Sequence, residues 1–260
     1  MPIKPSLATG GADATTLNHS AFSKRSRALL IWATVITLAL NFVPYASTAL
    51  YPLRLFVTFV HESGHALAAL ISGGSVESLQ IMPTGAGLTK GSVAPWWTWL
   101  FLSGGYLGTA LFGALMLQLG RVRMKGSSGR FALSAMGVAI AVITLLWGFH
   151  PTSDPFTLVV GAVLSAGLLG LGRVLRPAGA DFLAAFLAVQ CSLNALGDIR
   201  DLVTLTSMGH TQNDAVFMEK AYLLPAMFWG CLWAVAAVAV LFLSLRIYFR
   251  ATAKNAPQTV

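Results

Sequence analysis

The sequence predicts an all-α polytopic membrane protein, with about six or seven transmembrane helices and one short β-hairpin. Three observations carry this expectation. The 260 residues are 56% hydrophobic and 10% charged, with a mean hydropathy of +0.72, far from the balance of a soluble domain. The apolar residues gather into roughly seven runs of the length that crosses a bilayer. Between two of these runs, at 76–82, the pattern changes to alternation followed by turn-forming residues, the mark of a hairpin.

The net charge of +8 and pI near 9.9 would suit a nucleic-acid binder. In so apolar a chain, however, basic residues mark cytoplasmic loops, and no nucleic-acid partner is expected. Both cysteines, Cys191 and Cys231, lie inside apolar runs. A disulfide framework and a cysteine-rich metal site are therefore excluded from the expectation.

Taken in order, residues 1–27 are rich in Ser, Thr, Ala and Gly, with Lys24, Arg25 and Arg27 at their end, as in a disordered cytoplasmic tail. Residues 28–248 form the membrane-embedded domain, and 249–260 a second cytoplasmic tail. The first apolar run, 28–50, is too long for a signal-peptide core and reads as a transmembrane helix interrupted by Asn41 and Pro44. A second helix, 53–72, stops at Gly73-Gly74. The hairpin at 76–89 follows. The next run, 95–119, opens on Trp96, Trp97 and Trp99, an interfacial aromatic belt. It continues through Ser103-Gly104-Gly105-Tyr106-Leu107-Gly108, small residues that let helices approach closely. Further runs lie at 131–149, 156–171, 181–196 and 221–245.

Basic residues at 121–130, Arg173, Arg176 and the Arg246/Arg250/Lys254 end alternate consistently with a cytoplasmic placement. The first tail also belongs inside, yet three apolar runs separate it from the 121–130 loop. The mismatch falls on the second helix and its hairpin, where non-helical backbone at membrane depth requires surrounding protein or a water-filled cavity.

That second helix carries the chemistry. It contains His61-Glu62-Ser63-Gly64-His65, a His-Glu-x-x-His pattern inside a wholly apolar helical stretch. Positions i and i+4 share one helix face, so both imidazoles can reach one metal ion. Glu62 is turned by about 100° and can meet a water at that ion as general base. Burying these polar groups costs several kcal/mol unless they are paired or coordinated, which favours a metal site. A catalytic zinc also needs a third protein ligand. The candidates are Asp198 at the end of the 181–196 run, with Asp201 and His150 as alternatives.

On these residues the chain resembles the site-2 protease group of intramembrane zinc metallopeptidases, peptidase family M-fifty, in its B-like branch. The resemblance rests on His61-Glu62-Ser63-Gly64-His65-Ala66, Gly73-Gly74 with the glycine-bearing hairpin, the 103–108 segment, Asn194 with Asp198, and Asn213-Asp214-Ala215. It covers most of residues 55–230. It implies zinc held by His61, His65 and a late aspartate (Asp198, with Asp201 and Asp214 as alternatives), with Glu62 as catalytic base. Asn194 would contact the substrate backbone or the oxyanion. The segment Leu196-Gly197-Asp198-Ile199 departs from the family's Leu-Asp-Gly ending. The implied partners are a membrane-protein substrate and the lipid bilayer, and the implied location is the cell (plasma or inner) membrane. Two other expectations stay beside it: a catalytically silent scaffold of the same fold, and an ion or metal transporter using the His/Glu cluster.

Overall fold

The computed structural model describes residues 46–119, 127–150, 154–207 and 213–254, with parts of 28–43. Side chains at 46–47, 194–207 and 248–254 lie outside the described set. The elements are α1 (Ala46–Ile71), β1 (Ser75–Ile81), β2 (Gly87–Ser92), a 3-10 turn (Pro95–Trp97), α2 (Thr98–Leu119), α3 (Ser128–Trp147), α4 (Pro155–Val174), α5 (Pro177–Ser207), α6 (Asp214–Tyr222) and α7 (Ala226–Lys254).

Among the described residues, four helical segments are long and apolar enough to cross a membrane: Pro95–Leu119, Ser128–Trp147, Pro155–Val174 and Ala226–Ile247. Their outward side chains are hydrocarbon, among them Leu115, Leu145, Val163, Val235 and Phe242, as surfaces facing lipid must be. The protein is thus a mostly helical membrane protein with a small hairpin. Of the expected six or seven spans, these four are found among the described residues. The run at 28–50 falls largely outside the described residues. In α5 the residues with described side chains, Pro177–Leu193, form an apolar helical stretch. The run at 221–245 is broken near its start, where Leu223 turns left-handed at φ 60° and Pro225 precedes α7.

Helix α1 stops as the glycines predict. Gly73 takes φ +71°, and the N–H groups of Gly73 and Gly74 donate to Leu70 O and Ala69 O at 3.0 and 2.9 Å. The chain then reverses into the two-stranded antiparallel hairpin, registered Leu79↔Thr89 and Ile81↔Gly87. From Ser78 to Ile81, β1 is buried, whereas β2 buries only Thr89. Leu79 and Ile81 join the main core with Phe56, Phe59, Ile140 and Val160, so the hairpin is wedged between α1 and the α3/α4 pair. The far edge of β1 is closed by Thr157 on α4, whose Oγ1 accepts from Ile81 N–H at 2.9 Å. The hairpin turn is pinned to α1 by Tyr51 Oη and Thr58 Oγ1, which donate to Pro83 O and Gly85 O at 2.7 and 2.9 Å.

Helix α2 is the central post, packed against α1, α5 and α7. Its glycines act as the sequence predicts, by letting backbones touch. A Cβ on Gly64 would stand 2.2 Å from Gly104 O, and one on Gly108 would stand 2.8 Å from Gly64 Cα. A second core cluster holds α2, α6 and α7 together through Leu102, Tyr106, Ala215, Met218 and Trp233.

Candidate metal centre

The close crossing of α1 and α2 brings the His-Glu-x-x-His turn against α2. His61 and His65 sit one turn apart with their Nε2 atoms 3.1 Å from each other. His65 is buried, and its Nδ1–H donates to Phe101 O on α2 at 2.7 Å. A carbonyl can only accept, so this bond leaves the Nε2 lone pair of neutral His65 free for a metal. His61 is steadied differently. Its ring meets Tyr106 edge-on at 4.9 Å, and Tyr106 stacks on Trp233 of α7 at 4.4 Å. Trp233 in turn donates from Nε1 to Ser103 Oγ at 3.0 Å.

The third corner comes from α6. Asp214 Oδ2 lies 3.1 Å from His61 Nε2 and 3.2 Å from His65 Nε2. Local chemistry sets this carboxylate at the first turn of its helix. Asn213 is the N-cap, with Oδ1 accepting from Val216 N–H at 2.9 Å, and an acid next to the cap is favoured by the helix dipole. The other end is closed by Leu223 N–H donating to Glu219 O at 2.8 Å, and by Glu219 Oε2 accepting from Ala226 N–H at 2.8 Å. Burial alone would raise the Asp214 carboxyl, but the two imidazoles outweigh burial and hold it below the usual carboxylate range.

These three residues are a His/His/Asp group whose donor atoms fit one metal ion. Tetrahedral zinc, with bonds of about 2.0–2.1 Å to such ligands, separates neighbouring donors by about 3.3 Å. The three observed edges, at 3.1, 3.1 and 3.2 Å, are close to that triangle. Space is kept at the donors as well: a Cβ on Gly105 would stand 2.1 Å from His61 Nε2. Replacing Gly105 by alanine is therefore expected to lower bound zinc from about one per chain to near zero while helicity is retained. Elemental analysis beside circular dichroism checks this, and undiminished zinc would show that the imidazole can move aside.

Glu62 is buried at 5% exposure on the same helix, with its carboxylate against the hairpin. Thr89 Oγ1 donates to Glu62 Oε2 at 2.7 Å and stands 3.0 Å from Glu62 O. Gly87 lies against the other oxygen, where an added Cβ would stand 2.4 Å from Oε1.

Of the residues singled out in the sequence, His61, Glu62 and His65 come together in this region. The side chains of Asp198, Asp201 and Asn194 lie outside the described set, in the second half of α5. His150 is turned toward the hairpin, with Nε2 3.7 Å from Glu77 Oε1. Asp214, one of the alternatives, completes the cluster. In the sequence it was marked only by the resemblance of Asn213-Asp214-Ala215 to the family. The parts played by Gly105, Gly87 and Thr89 had no such signal, because each depends on what lies opposite.

A search of protein families matches residues 29–244 to the family described as Peptidase M50B-like. Comparison with curated proteins and with solved structures gave no match. The match spans most of the chain, from the run before α1 into α7, and takes in every residue of the His/His/Asp cluster; the chain therefore belongs to the Peptidase M50B-like family.

Proposed function

We propose that the protein is an intramembrane zinc metalloprotease of the cell membrane, hydrolysing peptide bonds of membrane-protein substrates. The observation that carries this reading is the His61/His65/Asp214 triangle placed beside a buried glutamate on the same helix. His61, His65 and Asp214 would hold the zinc. When bound, zinc supplies a Lewis acid that polarises a carbonyl and lowers the pKa of water to about 7.

The chain's own groups do the rest. Phe101 O keeps the His65 tautomer, and Asp214 supplies a negative charge that two neutral imidazoles lack. Glu62 takes a proton from the attacking water as its oxygen joins the scissile carbonyl carbon. It then returns that proton to the amine nitrogen as the C–N bond breaks. A transmembrane helix hides its carbonyls in its own hydrogen bonds and has to unwind first. Strand β2 is the platform for the unwound segment: the end of β1 is bonded to Thr157 of α4, whereas β2 is exposed at Leu88 and from Lys90 to Ser92, and an extended peptide can add along it.

The test uses detergent-purified protein reconstituted with a panel of single-span peptides carrying Gly or Pro near mid-span, with products read by mass spectrometry. Cleavage is expected that stops with a zinc chelator and returns with zinc. A zinc-loaded protein that cleaves no member, but moves metal ions across the vesicle wall, would overturn the protease reading in favour of a transporter.

A further inference from the structure

Resting on the proposed role of Glu62, we infer that Thr89 is a positioning residue for the base, holding Glu62 Oε2 so that Oε1 is the oxygen that carries the proton. The hairpin is thereby part of the catalytic apparatus as well as a platform for substrate.

A glutamate has three side-chain torsions, and one on an apolar helix has few groups to fix them. Here the missing constraint comes from β2. Thr89 is buried, at 8% exposure, and its hydroxyl stands 2.7 Å from Oε2. That is near the length of about 2.5–2.7 Å for a hydroxyl donating to a carboxylate, roughly twice as strong as a neutral bond. With Oε2 engaged, Oε1 remains for proton transfer, and it faces Gly87, which presents no side chain. Gly87 and Thr89 are two positions apart on one strand and so face the same side. Together they form a seat in which Thr89 grips one oxygen and Gly87 makes room for the other.

The seat is rigid because β2 is registered to a buried partner. Thr89 pairs with Leu79, which has no exposure, and Ile81 at the end of β1 is bonded to the buried Thr157 of α4. Support therefore runs from α4 through β1 to β2 and on to Glu62. A purely structural account of Thr89, as a polar side chain finding any acceptor, is met by its 3.0 Å approach to Glu62 O alone. It does not call for the carboxylate contact or for the space at Gly87.

The test compares Thr89→Val, which keeps the shape and removes the donor, with Thr89→Ser, which keeps the donor. For the valine variant kcat is expected to fall by about 10–100-fold, with KM within about twofold and zinc unchanged at about one per chain; a base displaced by about 1 Å costs this much. Serine is expected to restore kcat to within about threefold. A second readout is independent of activity. In thermal unfolding of the zinc-loaded protein, Thr89→Val and Glu62→Ala should be non-additive when combined, as contacting residues are. Should the valine variant not fold, Gly87→Ala serves instead, since it leaves the hydroxyl in place and crowds Oε1; the same loss confined to kcat is expected.

Unchanged kcat in Thr89→Val, equal losses with serine and valine, or a loss wholly in KM would overturn the inference. The two possible failures separate cleanly. A Glu62→Gln protein that still cleaves removes the base itself. A fully active Thr89→Val protein beside an inactive Glu62→Gln protein removes only the role of Thr89.

Discussion

Glu62→Gln is expected to lower kcat by a factor of about 10²–10⁴, the range for losing a general acid–base group, while zinc stays at about one per chain. The substitution isolates proton transfer because little else changes. Glutamine has the same length and volume, its amide oxygen can still accept from Thr89 Oγ1, and its Cγ keeps the same packing against Gly87. What it lacks is a basic oxygen. The metal donors His61, His65 and Asp214 are untouched, so a fall in zinc is not expected. His61→Ala is the contrasting control, since removing a corner of the triangle should lose metal and hydrolysis together. Full proteolysis by Glu62→Gln would take the base role away from Glu62.

The second large effect concerns the third ligand. Asp214→Ala is expected to weaken zinc by more than about 100-fold, because disturbing an outer-shell partner alone costs about 10–100-fold. Asp198→Ala is expected to keep about one zinc per chain. The reason for choosing Asp214 is geometric: Oδ2 stands within 3.2 Å of both imidazole Nε2 atoms and completes a near-equilateral set of donors. Elemental analysis of the two variants after chelator-free purification decides between them. Zinc lost from Asp198→Ala and retained by Asp214→Ala would overturn the assignment and return the third ligand to α5. In the apo protein Asp214→Ala should also loosen α6, since the carboxylate is what ties the first turn of that helix to His61 and His65.

Much of the site was legible in the sequence wherever the relevant interactions are local. A helix repeats every 3.6 residues, so the i, i+4 spacing alone puts His61 and His65 on one face with Glu62 beside them. The stop at Gly73-Gly74 is equally local, because a left-handed residue after a helix is most cheaply a glycine. The hairpin followed from alternation, and the small residues of 103–108 from the need of two helix backbones to touch. Family membership was legible for the same reason, through motifs that survive as short strings.

What the tertiary structure alone decided is which distant groups meet. Asp214 lies 153 positions from His61, and nothing in its neighbourhood distinguishes it from other late carboxylates as a ligand. It is selected by the packing of α6 on α2 and α7, through Ala215, Met218, Tyr106 and Trp233. Gly105 was legible as a packing residue but not as the opening beside His61 Nε2, because that depends on the angle at which α1 crosses α2. Thr89 was one polar residue in a hairpin until β1 sank into the core and turned it toward Glu62. Periodicity determines which side chains share a face; the face they meet is determined by packing across the whole chain, and that information is nowhere local.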